Sequence, residues 1–226
     1  MHPRDVWIVV AAFGEGPRLR GALEPLCASW PQVVVVDDGS SDETFAEAVK
    51  LPVWVLRHPV NCGQGAALQT GIDFALSKGA EVVVTFDADG QHDPADVEQL
   101  VEPVRAGRVQ VALGSRFLGA TVDMPRSRRL ILKLGVLFTR VFSRIAVSDT
   151  HNGLRALSRE AATKIRIQQD RMAHASDILD QIHVHRLAYC EVPVTIRYTT
   201  DSLEKGQGNW NAFRIVGQLI LGRFVR

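Results

Sequence analysis

Glu81-Val82-Val83-Val84-Thr85-Phe86-Asp87-Ala88-Asp89-Gly90-Gln91-His92 is the stretch on which the fold turns. Val82 to Phe86 is a short, β-branched, apolar run. Such a run reads as a strand buried on both faces, the kind found in parallel sheets. It stops abruptly at two carboxylates, Asp87 and Asp89, one residue apart. In an open α/β sheet, ligands bind beyond the carboxyl ends of the strands. The oxygens of these two carboxylates are hard ligands, suited to Mg²⁺ or Mn²⁺, and Mg²⁺ commonly shares its shell with substrate phosphates. A solvated turn is the plainer reading of the pair taken alone. Asp93 fits the N-cap of the next helix, with Pro94 in its first turn.

The same pattern repeats on the N-terminal side. Val6–Ala12 is a first buried strand, followed by a loop through Glu15 and a helical periodicity over Arg18–Trp30. Val33–Val36 is a second strand, ending in Asp37-Asp38-Gly39-Ser40. Ser40 with Glu43 fits a capping box for a helix over Thr44–Lys50. Val53–Leu56 is a third strand, then Asn61-Cys62-Gly63-Gln64-Gly65 leads into a helix over Ala66–Ser77. After Val82–Phe86 come a helix over Asp96–Arg105 and a strand over Val109–Leu113. This alternation predicts right-handed βαβ units and an α/β fold with a mostly parallel, Rossmann-like sheet flanked by helices. Glu15, Asp37-Asp38 and Asp87/Asp89 then fall along one edge. A dinucleotide fingerprint is excluded, because Leu68 stands where its third glycine belongs.

The chain has 226 residues and a formal net charge of +1. That length supports a single large domain, and the near-zero charge argues against bulk nucleic-acid binding. Three cysteines, Cys27, Cys62 and Cys190, are odd in number and lack metal spacing, which predicts reduced thiols in the cytoplasm. No signal-peptide pattern is visible at the N-terminus, and no apolar stretch is long enough to span a bilayer.

These motifs resemble the family-two nucleotide-sugar glycosyltransferases of GT-A fold, and more narrowly the dolichol-phosphate mannose synthase and polyprenyl-phosphate glycosyltransferase branch. VVVVDDGSSDET resembles the family's nucleotide-base motif. Asn61, Gly63, Gly65, Ala66 and Gly71 match its loop-and-helix motif, and FDADGQHDP its metal motif. Gly114-Ser115-Arg116, Pro125 with Arg128, Asn152-Gly153-Leu154-Arg155 and Glu191-Val192-Pro193-Val194 match further motifs. The resemblance implies donor binding by Ala11, Phe13, Glu15, Asp37, Asp38, Asn61, Gly63, Gln64, Asp87 and Ala88. It implies a metal on Asp87, Asp89 and Gln91, and phosphate or acceptor contacts from Arg116, Arg128, Arg155 and Lys205. Residues 1–115 would form the nucleotide-sugar half, 116–208 the acceptor half and 209–226 a C-terminal amphipathic helix. The family's Pro-x-Tyr-Asn-Glu stands here as Ala11-Ala12-Phe13-Gly14-Glu15, and Gln64 stands where Lys is common. The loop Tyr198 to Gln207 lacks the mannose synthases' motif, which leaves sugar and acceptor open.

The implied reaction is an inverting sugar transfer from a nucleotide diphosphate sugar, with Asp89, Asp177 and Arg116 as the catalytic candidates. Charge building on the departing diphosphate is the difficulty, and a cation on Asp89 with basic side chains would stabilise it. A hydroxyl acceptor needs a carboxylate base, for which Asp177 is the candidate. A polyprenyl phosphate does not, since the second pKa of a phosphate monoester is about 6. Asp177 would then position a basic residue or the metal, or serve only its helix. A glycan hydroxyl acceptor and a silent nucleotide-sugar-binding partner of a membrane complex are the competing readings.

From Met124 to Ser148 the basic residues Arg126, Arg129, Lys133, Arg140 and Arg144 interleave with leucines, valines and phenylalanines, and Trp210–Val225 is apolar over a wide arc. Basic amphipathic helices read as interfacial elements. The expectation is a peripheral enzyme on the inner face of the membrane, docked directly or through a small membrane subunit. A homodimer seam is the other reading of those helices.

Overall fold

The computed structural model describes residues 3–122, 136, 145–169 and 173–198. In chain order they form β1 (Val6–Ala12), α1 (Gly16–Ser29), β2 (Val33–Asp37), α2 (Thr44–Ala48), β3 (Trp54–Arg57), α3 (Gln64–Ser77) and β4 (Val82–Asp87). There follow α4 (Asp96–Arg105), β5 (Val111–Val122), β6 (Arg155–Ser158), α5 (Arg159–Lys164), α6 (Ala173–Val184) and β7 (Tyr189–Arg197). The described strands make one sheet of order β3-β2-β1-β4-β6-β5-β7. β1 pairs in parallel with both β2 and β4, so the order reverses between them. That reversal opens a crevice at the carboxyl ends of β1 and β4, the usual ligand position in such sheets.

Alternation along β1 builds two cores. Val6, Ile8, Val10 and Ala12 face α1 and α4, meeting Leu19, Leu23, Leu26, Leu100 and Val101. Trp7 and Val9 face α3, α5 and α6, meeting Leu68, Ile72, Ala161 and Ile178. Both faces are dry, which is why β1, β2 and β4 read as continuous apolar runs. Each Leu or Ile buried here stabilises by about 1.5–3 kcal/mol. Close approach of α3 to the sheet requires Gly71: a Cβ there would lie 2.3 Å from Val9 Cγ1 and 3.3 Å from Val36 Cγ2. Gly71→Ala gains about 1 kcal/mol of helix propensity, against about 1–3 kcal/mol for overpacking two stiff valines. The expected result is a lower urea midpoint; an unchanged or higher one would show that the helix backs off freely.

Several expectations are corrected. The mostly parallel sheet is as expected; the strand not anticipated is β6, which runs antiparallel between β4 and β5. The capping box does not form. Ser40 Oγ instead accepts from Gly14 N at 3.1 Å, and Asp42 Oδ1 takes Thr44 N at 3.0 Å, just ahead of α2. Asp93 does not cap α4, which begins at Asp96 with Ala95 at the N-cap. It stabilises the preceding turn instead, accepting from Ala95 N at 3.0 Å and pairing with Arg197 at 3.1 Å. No helix among the described residues is long and apolar enough to cross a membrane. Most of the basic stretch 124–144, and all of the expected helix 209–226, lie outside the described residues.

Candidate active site

The register brings the expected acids to one edge. Ala11 stands opposite both Val36 and Asp87, and Ala12 opposite Asp37. Asp87 closes β4, and the chain then turns through Gly90, whose φ of +75° lies in the left-handed region that glycine tolerates. The turn folds the motif back on itself. Gln91 N donates to Asp89 Oδ1 at 3.0 Å, and His92 Nε2 sits 3.0 Å from Asp87 Oδ2. From the start of α3, Gln64 Nε2 donates to Asp87 Oδ1 at 3.0 Å. The backbone of Gly153 closes the remaining side: a Cβ there would lie 2.1 Å from Asp87 Oδ2. Thr85 Oγ1 holds that backbone in place, donating to Gly153 O at 2.6 Å.

The two carboxylates sit in opposite electrostatic surroundings. Burial opposes the charge on Asp87, but the hydrogen bond from His92 and the positive fields of His92, His174 and Arg155 outweigh it and lower its pKa. Burial raises the pKa of Asp89, and the charges of Asp87 and Glu15 push the same way. Among the described residues, no donor reaches Asp89 Oδ2. An all-oxygen set with one carboxylate compensated and its neighbour destabilised fits a divalent cation, which would relieve the repulsion.

The other expected donor residues frame the same edge, and some of them are already engaged. Asp38 is buried, and its oxygens accept from Cys62 N at 2.9 Å and Gly63 N at 2.7 Å, with His58 Nδ1 at 2.7 Å. It therefore ties the 61–63 loop to the tip of β2. Asp37 accepts from Ser40 N at 3.1 Å. Arg57 Nε lies 3.1 Å from its other oxygen, at ion-pair distance but off hydrogen-bond geometry. Gly63 takes φ +97° as the N-cap of α3, which aims Gln64 at Asp87. Glu15 pairs with Arg18 at 3.1 Å, while Phe13 and Asn61 are exposed and Ala88 is buried.

The residues expected to contact phosphate or acceptor are mostly engaged within the protein. Arg116 is buried rather than offered to solvent: Nε donates to Asp149 Oδ2 at 2.6 Å and Nη1 to Tyr198 OH at 2.7 Å. Burial opposes its charge, and Asp149 and Tyr198 more than restore it. Asp177 does not stand as a free base. Its carboxylate accepts from Gln168 N at 2.7 Å, Gln169 N at 3.2 Å and Gln181 Nε2 at 3.0 Å, holding the loop ahead of α6. Arg155 is buried beside Asp87; burial lowers its pKa, and Asp87 and Asp149 partly offset that. Arg155 Nη1, Asn152 Nδ2 and His92 Nδ1 are buried and find no hydrogen-bond partner among the described residues. Arg128 and Lys205 lie outside the described residues.

Three residues were missed in the sequence. His92 was quoted with its motif but given no role; the glycine turn after two acids was the signal that it folds back. His174, on α6, adds its positive field at Asp87, and Asn152, in the loop before β6, accepts from Leu154 N at 2.9 Å beside Gly153. Asn152 also stands in a quoted motif without a role, whereas nothing local announces His174.

Residues 7–166 match the family model of glycosyl transferase family 2. An uncharacterised protein of Methanocaldococcus jannaschii is 39% identical, over 96% of this chain and 91% of its own length. The UDP-N-acetylglucosamine–dolichyl-phosphate N-acetylglucosaminyltransferase of Methanococcus voltae is 27% identical, over 98% of this chain and 97% of its own. The polyprenol monophosphomannose synthase of Mycolicibacterium smegmatis is 38% identical, over 70% of this chain and 63% of its own. Among solved structures, the glucosyl-3-phosphoglycerate synthase of Mycobacterium tuberculosis superposes with a TM-score of 0.70 at 22% identity, covering 95% of this chain and 77% of that one. That likeness bears out the expected GT-A arrangement. A buried parallel sheet, paired acids at the tip of β4 and a family match over most of the chain lead to one assignment: the chain is a glycosyltransferase and belongs to glycosyl transferase family 2.

Proposed function

We propose that the chain moves a sugar from a nucleotide diphosphate sugar onto a polyprenyl phosphate of dolichyl type, at the inner face of a membrane, with a divalent cation bound. The observation that carries the acceptor is the engagement of Asp177. With the candidate base committed to Gln168 and Gln169, an acceptor that needs no deprotonation suits the site best. A phosphate monoester with a second pKa of about 6 is such an acceptor. The relatives of Methanococcus voltae and Mycolicibacterium smegmatis, named for dolichyl-phosphate and polyprenol substrates, support the same choice.

Asp87, Asp89 and Gln91 are the residues that would hold the cation. Bound there, it supplies Lewis-acid stabilisation of charge on the leaving diphosphate. The Mycobacterium tuberculosis synthase has been crystallised with Mn²⁺ and UDP-glucose, which supports a divalent ion in this fold. Gln64 and His92 fix both oxygens of Asp87, so its geometry is set before substrate arrives. The 61–64 loop and the tips of β1 and β2 receive the nucleotide. Arg155 Nη1 and Asn152 Nδ2, buried donors with no partner among the described residues, suit a phosphate oxygen. In the step itself, an acceptor phosphate oxygen bonds to the anomeric carbon from the far side. The bond to the β-phosphate oxygen breaks, its electron pair leaves with the diphosphate, and the configuration inverts.

Incubation with radiolabelled UDP- and GDP-sugars and a short-chain polyprenyl phosphate tests this reading. A lipid-extractable product is expected. Label transferred only to a sugar hydroxyl acceptor would overturn it.

A further inference from the structure

Asp38, His58 and Cys62 meet at the tip of β2, apart from the Asp87/Asp89 pair. Their ligand atoms all lie within 4.8 Å of one another. β3 ends at Arg57, and the chain reverses through Pro59 and Val60, so that Cys62 returns to the carboxylate. We propose that these three side chains form a second cation site, one that takes a thiophilic divalent ion of the zinc class.

The donor set differs in kind from the oxygens of Asp87, Asp89 and Gln91. One carboxylate, one imidazole and one thiolate suit zinc rather than magnesium, and three protein ligands leave a fourth position open. Two of the three ligands are already oriented from behind. His58 Nε2 lies 3.0 Å from Thr70 Oγ1, so an Nε2–H donating to Thr70 presents the Nδ1 lone pair to the ion. Asp38 Oδ2 takes Gly63 N at 2.7 Å, which fixes the carboxylate. Cys62 is exposed, and among the described residues only a 3.4 Å thiol contact to Val60 O holds its side chain, so it can swing inward. Zinc bond lengths place ligand atoms about 3.3–3.7 Å apart, so the 2.7 Å between His58 Nδ1 and Asp38 Oδ1 has to open while the thiol closes in from within 4.8 Å. On binding, the imidazole carries its proton on Nε2, donated to Thr70 Oγ1, so that a proton held on Nδ1 shifts there; the Nδ1 lone pair then goes to the ion and the Cys62 thiol proton leaves to solvent. The other thiols compete poorly, since Cys27 and Cys190 are half-buried and burial pushes both up.

The site is linked to its neighbour through two consecutive residues: Gly63 N holds Asp38, and Gln64 Nε2 holds Asp87. Occupancy is therefore expected to weaken nucleotide binding. That consequence rests on the function proposed above; the metal site itself does not.

The test is a Co²⁺ titration of the full chain in excess Mg²⁺, followed by absorption. The expected result is a thiolate-to-cobalt charge-transfer band that saturates at one ion per chain, is bleached by Zn²⁺ and is absent in Cys62→Ser. Thr70→Val should weaken binding about tenfold. In the unaltered protein, Zn²⁺ should slow alkylation of Cys62 by iodoacetamide about tenfold or more, leaving Cys27 and Cys190 unaffected. No cobalt band, a band that survives Cys62→Ser, or an unchanged alkylation rate at Cys62 would overturn the proposal.

Discussion

Asp89→Asn is expected to lower sugar transfer about 10²–10³-fold, the usual cost of losing one preorganised stabiliser of developing charge. The metal-free fold should be retained or strengthened. Burial and the charges of Asp87 and Glu15 all disfavour ionised Asp89, so an uncharged amide of the same shape removes a repulsion. A second readout separates function from folding. A ligand bound only by the folded state raises its melting temperature according to occupancy. Mn²⁺ with a nucleoside diphosphate should therefore stabilise the unaltered protein but not the variant. A variant that transfers sugar at the full rate would remove Asp89 from the mechanism.

Gly153→Ala is expected to cost about 10²-fold in kcat, the penalty of a displacement of about 1 Å at a reacting centre. The added methyl would sit 2.1 Å from Asp87 Oδ2, on a backbone that Thr85 Oγ1 fixes at 2.6 Å. The carboxylate must yield, giving up its place between Gln64 and His92. Because the clash falls on one carboxylate, the fold should survive, with a melting temperature lowered only by the loss of the Gln64 and His92 hydrogen bonds. Full activity in Gly153→Ala would show that Asp87 need not be held so tightly. Collapse of the fold would show that Gly153 serves packing rather than the site.

The buried strands were legible because two-sided burial leaves a simple trace, an unbroken run of valine and isoleucine ending in acids. β6 was not, since Arg155-Ala156-Leu157-Ser158 is four residues long, mixed in polarity and paired by neighbours distant in sequence. Asp87 and Asp89 could be found from their spacing after a strand. Their unequal electrostatics could not, because His174 and Arg155 arrive from the second half of the chain. Ser40 and Asp93 were misread for a related reason. Each carries an oxygen suited to capping its own helix, but Ser40 serves Gly14 across the crevice and Asp93 serves Ala95 and Arg197. Arg116 and Asp177 show the same limit, since a motif can place a charged residue near a site but cannot say which tertiary partner claims it first.

Electron paramagnetic resonance of Mn²⁺ titrated into the full chain with a nucleoside diphosphate tests the central claim most directly. The account predicts one tightly held Mn²⁺ per chain, released by Mg²⁺ and lost in Asp89→Asn. An equal Mn²⁺ signal in protein and variant would contradict it.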